Sequence, residues 1–182
     1  MLQQVTLSSA TCTVDDWVEA VRLHSLSMTW PGISVDQRMS FRGDALELLT
    51  EFLVKSGQLN TKTGLQDYRV VGLKDDYGVD ATGVNVNGDF TVVQCKYRRI
   101  PTNLVHYADL ARTFTQGALG FSLRGKLDLS KQKNVWLVTT ANDANIQSKT
   151  VLGKHLHVIG RGHLAKVLDG NTAFWQSFLA SV

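Results

Sequence analysis

Three polar residues, Asp80, Gln94 and Lys96, are spaced so that paired strands could bring a carboxylate, an amide and an amine together. Between them, Asn87-Gly88 is typical of a two-residue type I′ hairpin turn, because both residue types accept a positive φ. Side chains alternate across a strand, so Gln94 and Lys96 share one face. At the end of a mostly apolar strand they cost desolvation free energy unless a polar group meets them. Asp80 can meet them if the hairpin register brings the two strand ends together.

The order of aspartate, hairpin and Q-x-K resembles the signature of the PD-(D/E)XK nuclease superfamily. The string V-V-Q-C-K-Y-R-R, residues 92–99, is most similar to the Mrr-type restriction endonuclease branch. In that branch glutamine commonly replaces an acidic residue, and the aspartate commonly follows Gly-Ile or Gly-Val, here Gly78-Val79. The resemblance covers residues 40–160 and implies a restriction-endonuclease-like α/β core. That core is a mixed sheet of about five strands flanked by helices in the order αβββαβ.

The resemblance also implies Mg²⁺-dependent hydrolysis of DNA, with Mn²⁺ able to substitute. Asp80 and the backbone carbonyl of Cys95 would be metal ligands, and Gln94 would supply a neutral oxygen. Lys96 would stabilise the charge that develops at phosphorus or orient the attacking water. These three side chains are therefore candidate catalytic residues.

A further carboxylate is expected on the helix that precedes the sheet. Apolar spacing predicts a helix from Asp44 to Ser56, after a loop that ends at Phe41-Arg42-Gly43. The resemblance places the family's helical glutamate at Glu47, as a catalytic residue and metal ligand. A helical wheel puts Glu47 near the centre of the polar side and Glu51 closer to the apolar edge. Either could complete the metal site.

The other elements follow from apolar periodicity and from capping residues. Thr13 is predicted to cap a first helix. We therefore expect residues 1–37 to form an N-terminal helical extension and residues 38–182 to form the core. Together they make a single domain over 1–182. Further helices are predicted over residues 104–117, with Leu104, Ala108 and Ala111 facing inward, and over 141–152, 162–168 and 173–180. Strands besides the hairpin are predicted over 68–73, 135–140 and 155–159.

The charge is distributed unequally along the chain. Residues 1–90 hold 7 Lys and Arg against 12 Asp and Glu, a balance of −5, whereas residues 91–182 hold 12 against 4, a balance of +8. A polyanion would be attracted to the second half, and the acidic half could hold a cation. The candidate DNA-binding residues are Arg98, Arg99, Arg112, Gln116, Arg124, Lys126, Lys131 and Lys133.

Composition narrows the class of protein further. A chain of 182 residues with 43% hydrophobic residues suits one domain with a real core. No apolar run approaches membrane-spanning length and no signal pattern begins the chain, so we expect a cytoplasmic protein with no membrane partner. Cys12 and Cys95 are expected to be reduced and buried. His155 and His157 share a strand face, where core-edge histidines are favoured over a metal site.

The resulting functional prediction is a metal-dependent DNA endonuclease of the restriction type, free-standing or the nuclease module of a larger helicase-containing system. Candidate partners are DNA, a helicase or other restriction subunit, and a second copy of the chain. Two alternatives stay open. One is a non-catalytic DNA-binding or assembly module on a nuclease scaffold, which the neutral Gln94 would favour if no helical carboxylate were present. The other is a structure-specific junction nuclease.

Overall fold

The computed structural model of the chain describes residues 12–28, 33–59, 64–71, 79–85, 87–112 and 132–181, apart from the side chains of Arg112, Gln132 and Lys133. The strands in these segments are β1 (Leu65–Val70), β2 (Ala81–Asn85), β3 (Phe90–Lys96), β4 (Gln132–Thr139) and β5 (Leu156–Ile159). The α-helices in these segments are α1 (Val14–Ser27), α2 (Val35–Lys55), α3 (Tyr107–Arg112), α4 (Ile146–Leu152), α5 (Arg161–Leu168) and α6 (Thr172–Ser181).

The five strands form a mixed sheet in the order β1-β2-β3-β4-β5. Strands β1, β2 and β3 are antiparallel neighbours, whereas β3, β4 and β5 run parallel. Parallel neighbours need long crossovers, and α3 and α4 lie in the two crossovers of the parallel half. The order α2, β1, β2, β3, α3, β4 confirms the predicted αβββαβ arrangement of a mixed sheet flanked by helices.

Strand β3 is the centre of the sheet and is covered on both faces. Val93 and Cys95 belong to a core that includes apolar side chains of α1, α2, α5 and α6. Val92, on the opposite face, packs with Val79 and Val135. Five consecutive residues of β3 are buried, so the two ends of the strand are the places where its side chains reach solvent.

Helix α2 begins at Val35, nine residues before the predicted start at Asp44. Ser34 caps it: the Ser34 hydroxyl accepts from the Gln37 backbone N–H, and the Gln37 side chain accepts from the Ser34 N–H. The prediction of a loop ending at Gly43 is therefore wrong. Glycine inside a helix costs about 1 kcal/mol relative to alanine, which the packing of a 21-residue helix outweighs. The helix also runs across position 37, the predicted boundary of the N-terminal extension.

The β2–β3 turn is a hairpin turn, as predicted, but not of type I′. The N–H of Gly88 donates to the carbonyl of Asn85, and the N–H of Asn85 donates to the carbonyl of Asp89. A type I′ turn requires a positive φ at both Asn87 and Gly88. Gly88 has φ 76°, but Asn87 does not have a positive φ, because Asp67 is the one non-glycine residue in the described segments that does. The Asn85 side chain accepts from two backbone N–H groups of the turn and stabilises this longer loop, which ends at a left-handed glycine.

Other elements differ from the prediction mainly at their ends. Thr13 caps α1 through a capping box with Asp16, as expected. Helix α3 starts at Tyr107 rather than 104, because Val105 pairs with Ala144 in an isolated parallel bridge. As a result Leu110 faces inward, and the predicted inward position Ala108 is exposed. None of the helices in the described part of the chain combines the length and apolar character that a membrane span requires.

The junction between β5 and α5 is tightly packed around Gly160. Arg161, which is 9% exposed, donates to the Asp15 carboxylate at 2.6 Å and to the carbonyls of Arg99 and Thr140. This contact ties α5 to α1 and to the segment that follows β3. A Cβ atom at Gly160 would lie 2.2 Å from the carbonyl oxygen of Asn142, so the backbone there has no room for a side chain.

We predict that Gly160→Ala lowers the free energy of unfolding by about 2 kcal/mol or more, because the new methyl group overlaps backbone atoms that cannot move independently. The measurement is urea unfolding followed by circular dichroism. Gly162→Ala is the matched control, since a Cβ there meets no atom within 4 Å and alanine favours the helix. Equal stability of the two variants would show that the junction is not close-packed.

Candidate active site

Asp80 lies immediately before β2 and is fixed between two strands. Its backbone N–H donates to the carbonyl of Val93 at 3.1 Å, and its carbonyl accepts from the N–H of Val71 at 3.0 Å. Ala81 pairs with Val93, so the antiparallel register puts Asp80 opposite Gln94. Residues opposite each other in a ladder have side chains on the same face of the sheet. The hairpin therefore brings the ends of β2 and β3 together at these two residues.

One carboxylate oxygen of Asp80 joins the side chain and the backbone of β3. The amide nitrogen of Gln94 and the backbone N–H of Cys95 both donate to Asp80 Oδ2, each at 2.5 Å. Gln94 is 3% exposed, and its amide nitrogen is also 3.4 Å from the Cys95 carbonyl oxygen. The amide turns its nitrogen to these two groups because both are acceptors, whereas the sequence predicted an oxygen donor there. Charge-assisted hydrogen bonds of this kind fix the carboxylate in place.

Lys96 follows Gln94 by two positions and so lies on the same face of β3. It lines the same cleft as Asp80 and is half-buried. Within the described residues its ammonium group forms no ion pair, and its backbone carbonyl accepts from the Thr139 hydroxyl at 2.6 Å. The structure thus places a lysine, an amide and a carboxylate on one wall, as the sequence predicted.

The cleft has a volume of about 840 Å³ and lies where α2, the end of β3 and the segment after β3 meet. Its walls carry charges of both signs. The charged residues that line it are Arg42, Asp44, Glu47, Asp80, Lys96, Arg98, Arg99 and Asp109. Most of the carboxylates come from the first half of the chain and most of the cations from the second half.

Glu47 is the helical carboxylate that reaches this cleft. It lines the cleft together with Asp80, although the helical wheel put it at the centre of the polar side. The end of β3 lies beside that side of α2, so a polar position there faces the site and not bulk solvent. Glu51 is instead paired with Lys55 one turn further along the helix.

Burial is the main reason that the pKa of Tyr68 is raised, and the negative charges of both glutamates and Asp80 add to it.

The two cysteines are reduced and buried, as predicted. Burial raises the pKa of the Cys95 thiol well above its usual range, and the charge of Asp80 adds to the effect. The thiol lies 3.5 Å from the Thr50 hydroxyl, so it packs in the core while its carbonyl lies at the site. Burial likewise raises the pKa of Cys12 from 9.0 to about 12.

The predicted DNA-binding residues are only partly described. Arg98 is held by the Asp109 carboxylate at 2.7 Å and by the Tyr97 carbonyl at 3.1 Å, so part of its charge is balanced within the protein. Arg99 is exposed and lines the cleft. Arg112 and Lys133 lie on α3 and β4 without described side chains. The remaining predicted residues lie outside the described segments: Gln116, Arg124, Lys126 and Lys131.

Of the two histidines predicted on one strand, only His157 lies on β5, at the edge of the core. His157 stacks on Trp136 with ring centroids 4.6 Å apart, and its Nε2 lies 2.9 Å from the Asn134 side-chain oxygen. His155 is exposed, at the end of the 3₁₀ turn before β5. Across the described residues, no three His, Cys, Asp or Glu side chains are grouped closely enough to hold a metal ion by themselves.

Sequence reasoning missed two cleft residues of interest, Arg42 and His106. The Ser34 capping box was the available signal for Arg42, because it extends α2 through that position. His106 had no sequence signal. Its Nδ1 lies 3.2 Å from the Asn145 amide nitrogen, and the Asn145 oxygen accepts from Ser148. Since the Asn145 nitrogen can only donate, Nδ1 of His106 accepts and Nε2 carries the proton of the neutral ring.

Comparisons with known proteins give weak likenesses to solved structures. No family model and no curated sequence matches the chain. A repair endonuclease from Pyrococcus abyssi is similar at 14% identity and a TM-score of 0.42, over 63% of this chain and 45% of that one. The DNA modification-dependent restriction endonuclease AspBHI is similar at 15% identity and a TM-score of 0.49, over 98% and 44%. Protein VC1899 from Vibrio cholerae is similar at 17% identity and a TM-score of 0.41, over 90% and 42%.

The chain spans less than half the length of each of these three structures. At this level of similarity, the function of the chain has to be inferred from its own site. That site is a carboxylate, an amide and a lysine at the end of a hairpin, in a cleft of mixed charge.

We predict that neither thiol of the native protein reacts with iodoacetamide at pH 8, because alkylation requires the thiolate. With its pKa at about 12, four units above the pH, Cys12 would be thiolate in about one molecule in ten thousand. Mass spectrometry after a short exposure is the measurement, and denatured protein that takes up two labels is the control. Rapid single labelling of native protein would contradict the burial of these residues.

Proposed function

We propose that this protein is a divalent-metal-dependent DNA endonuclease, and that the cleft is its active site. The observation that carries the proposal is the convergence of Asp80, Gln94 and the Cys95 backbone, with Lys96 on the same wall. The cationic residues in the cleft suit a polyanionic substrate. The same proposal includes restriction-type activity, with the chain either free-standing or the nuclease module of a larger helicase-containing system, and a second copy of the chain as a candidate partner.

The donor set in the cleft fits Mg²⁺. Mg²⁺ prefers oxygen ligands and is usually bound through one or two carboxylates, with waters and substrate phosphate completing its shell. The structure offers two carboxylates, Asp80 and Glu47, and the Cys95 carbonyl oxygen at the same end of β3. These are the residues that would hold the ion, and Mn²⁺ should be able to substitute. When bound, the ion would lower the pKa of water and neutralise charge on the phosphate.

The protein's own groups would position the Asp80 carboxylate and stabilise the charge on the phosphate. Gln94 and the Cys95 N–H hold the Asp80 carboxylate in one orientation, so it need not reorganise when substrate binds. The Lys96 ammonium would donate to a phosphate oxygen and stabilise the charge that grows on it during attack. Lys96 forms no ion pair with another described residue, so its ammonium group would be available to a phosphate oxygen.

We predict that the protein cleaves plasmid DNA with Mg²⁺ or Mn²⁺, and that Asp80→Asn or Lys96→Met lowers the rate about 10²-fold or more. Loss of Asp80 removes a metal ligand, and loss of Lys96 removes a cation that acts on the reacting phosphate. Gel analysis of nicked and linear products is the measurement. Asp67→Asn is the matched control, because Asp67 is an exposed aspartate on the edge strand β1.

Two results together would favour the non-catalytic DNA-binding or assembly module. The folded protein would not cleave DNA, and its DNA affinity would not change with Asp80→Asn or with a chelator. Preferential cutting of four-way junctions over linear duplex would favour the junction nuclease. Either outcome would overturn the restriction-type reading.

We predict further that Glu47→Gln weakens Mn²⁺ binding about tenfold or more, because it removes a charged oxygen ligand. Glu51→Gln should leave the affinity unchanged, since Glu51 pairs with Lys55 and does not line the cleft. Titration followed by electron paramagnetic resonance of free Mn²⁺ gives both constants. The opposite ranking of the two variants would assign the helical ligand to Glu51.

A further inference from the structure

Arg42 lies on the α2 wall of the cleft and is oriented by a buried serine. Its Nε donates to the Ser25 hydroxyl at 2.8 Å. Ser25 is fully buried on α1, and its own hydroxyl proton goes to the Arg22 carbonyl at 2.7 Å. The serine oxygen therefore has lone pairs, and no proton, to offer to the arginine. One edge of the guanidinium group is fixed by this contact between α1 and α2.

The terminal amino groups of Arg42 make no hydrogen bond to any residue in the described segments, and no described carboxylate pairs with it. Four of the arginines with described side chains are instead paired with a carboxylate: Arg22, Arg69, Arg98 and Arg161. Asp44 and Glu47 line the same cleft, yet neither forms an ion pair with Arg42. A half-buried guanidinium with its Nε on a neutral hydroxyl is suited to an anion from outside the protein.

We propose that Arg42 forms a phosphate-binding subsite for a phosphodiester group that flanks the one to be cut, with Ser25 as its positioning residue. Guanidinium is planar and can give two parallel hydrogen bonds to two phosphate oxygens. Five residues separate Arg42 from Glu47, about 7.5 Å along the helix axis at 1.5 Å per residue. Arg42 would therefore contact a different phosphate from the one beside Glu47. The inference rests on the proposed endonuclease function.

The test measures the affinity of a fluorescein-labelled DNA duplex by anisotropy over a range of NaCl concentrations, with Ca²⁺ in place of Mg²⁺. Arg42→Ala should raise Kd about tenfold, the size expected for losing hydrogen bonds to a charged group. It should also lower the slope of log K against log salt by about 0.9, the value for one phosphate contact. Arg42→Lys should retain the slope but lose affinity, because an ammonium group cannot make the paired contact.

Ser25→Ala separates orientation from charge. It should weaken binding less than Arg42→Ala does and leave the salt slope unchanged, because the guanidinium remains but is no longer fixed. A merely structural role would not produce this split between affinity and slope. Arg69→Ala is the matched control: it removes one positive charge from the edge strand β1, outside the cleft, and should change neither quantity. Urea unfolding of each variant verifies that it is folded.

The outcomes distinguish failure of the Arg42 subsite from failure of the endonuclease proposal. If the unaltered protein neither binds the duplex nor cleaves DNA with Mg²⁺, the endonuclease proposal fails. If the unaltered protein binds and cleaves, but Arg42→Ala matches Arg69→Ala in Kd and in salt slope, the subsite proposal fails and the endonuclease proposal stands. A folded Arg42→Lys variant with unchanged affinity would also overturn it, since a paired contact is then not needed.

Discussion

The geometry of the candidate active site depends on one carboxylate oxygen that accepts two hydrogen bonds from β3. Asp80 Oδ2 accepts from the Gln94 amide and from the Cys95 N–H, and so fastens the end of β2 to the end of β3. Cys95 itself is anchored on the other face of the sheet, where its thiol packs against Thr50 of α2. The carboxylate, the central strand and the helix are therefore held as one unit. A change in any of these contacts would move the carboxylate relative to Lys96, which is why the site and the core cannot vary independently.

The cleft is also where the two halves of the chain meet electrostatically. The acidic first half contributes Glu47 and Asp80, and the basic second half contributes Lys96 and Arg99. Carboxylates beside cations would normally pair with one another and cancel. Here the Cys95 N–H and the Gln94 amide both donate to Asp80, and Lys96 forms no ion pair with another described residue. This separation of charge within one cleft is what a site for a cation and a phosphate requires together.

Much of this arrangement was predictable because it is local. Alternation along β3 is enough to put Gln94 and Lys96 on one face, and hairpin pairing brings a carboxylate opposite. The position of Glu47 was ambiguous, because a helical wheel distinguishes apolar from polar sides but not which polar side faces a neighbouring strand. The Arg42 to Ser25 contact was not predictable at all. It depends on how α1 packs on α2, a tertiary relation that periodicity in either helix does not encode.

The central claim, that the ends of β2 and β3 create a cation site, is tested most directly by diffraction from crystals soaked in Mn²⁺, collected to detect its anomalous signal. The account predicts a peak about 2.0–2.2 Å from an Asp80 carboxylate oxygen and from the Cys95 carbonyl oxygen, the distances of small hard divalent cations. Crystals at saturating Mn²⁺ with no peak at Asp80, or with peaks only at remote surface carboxylates, would contradict it.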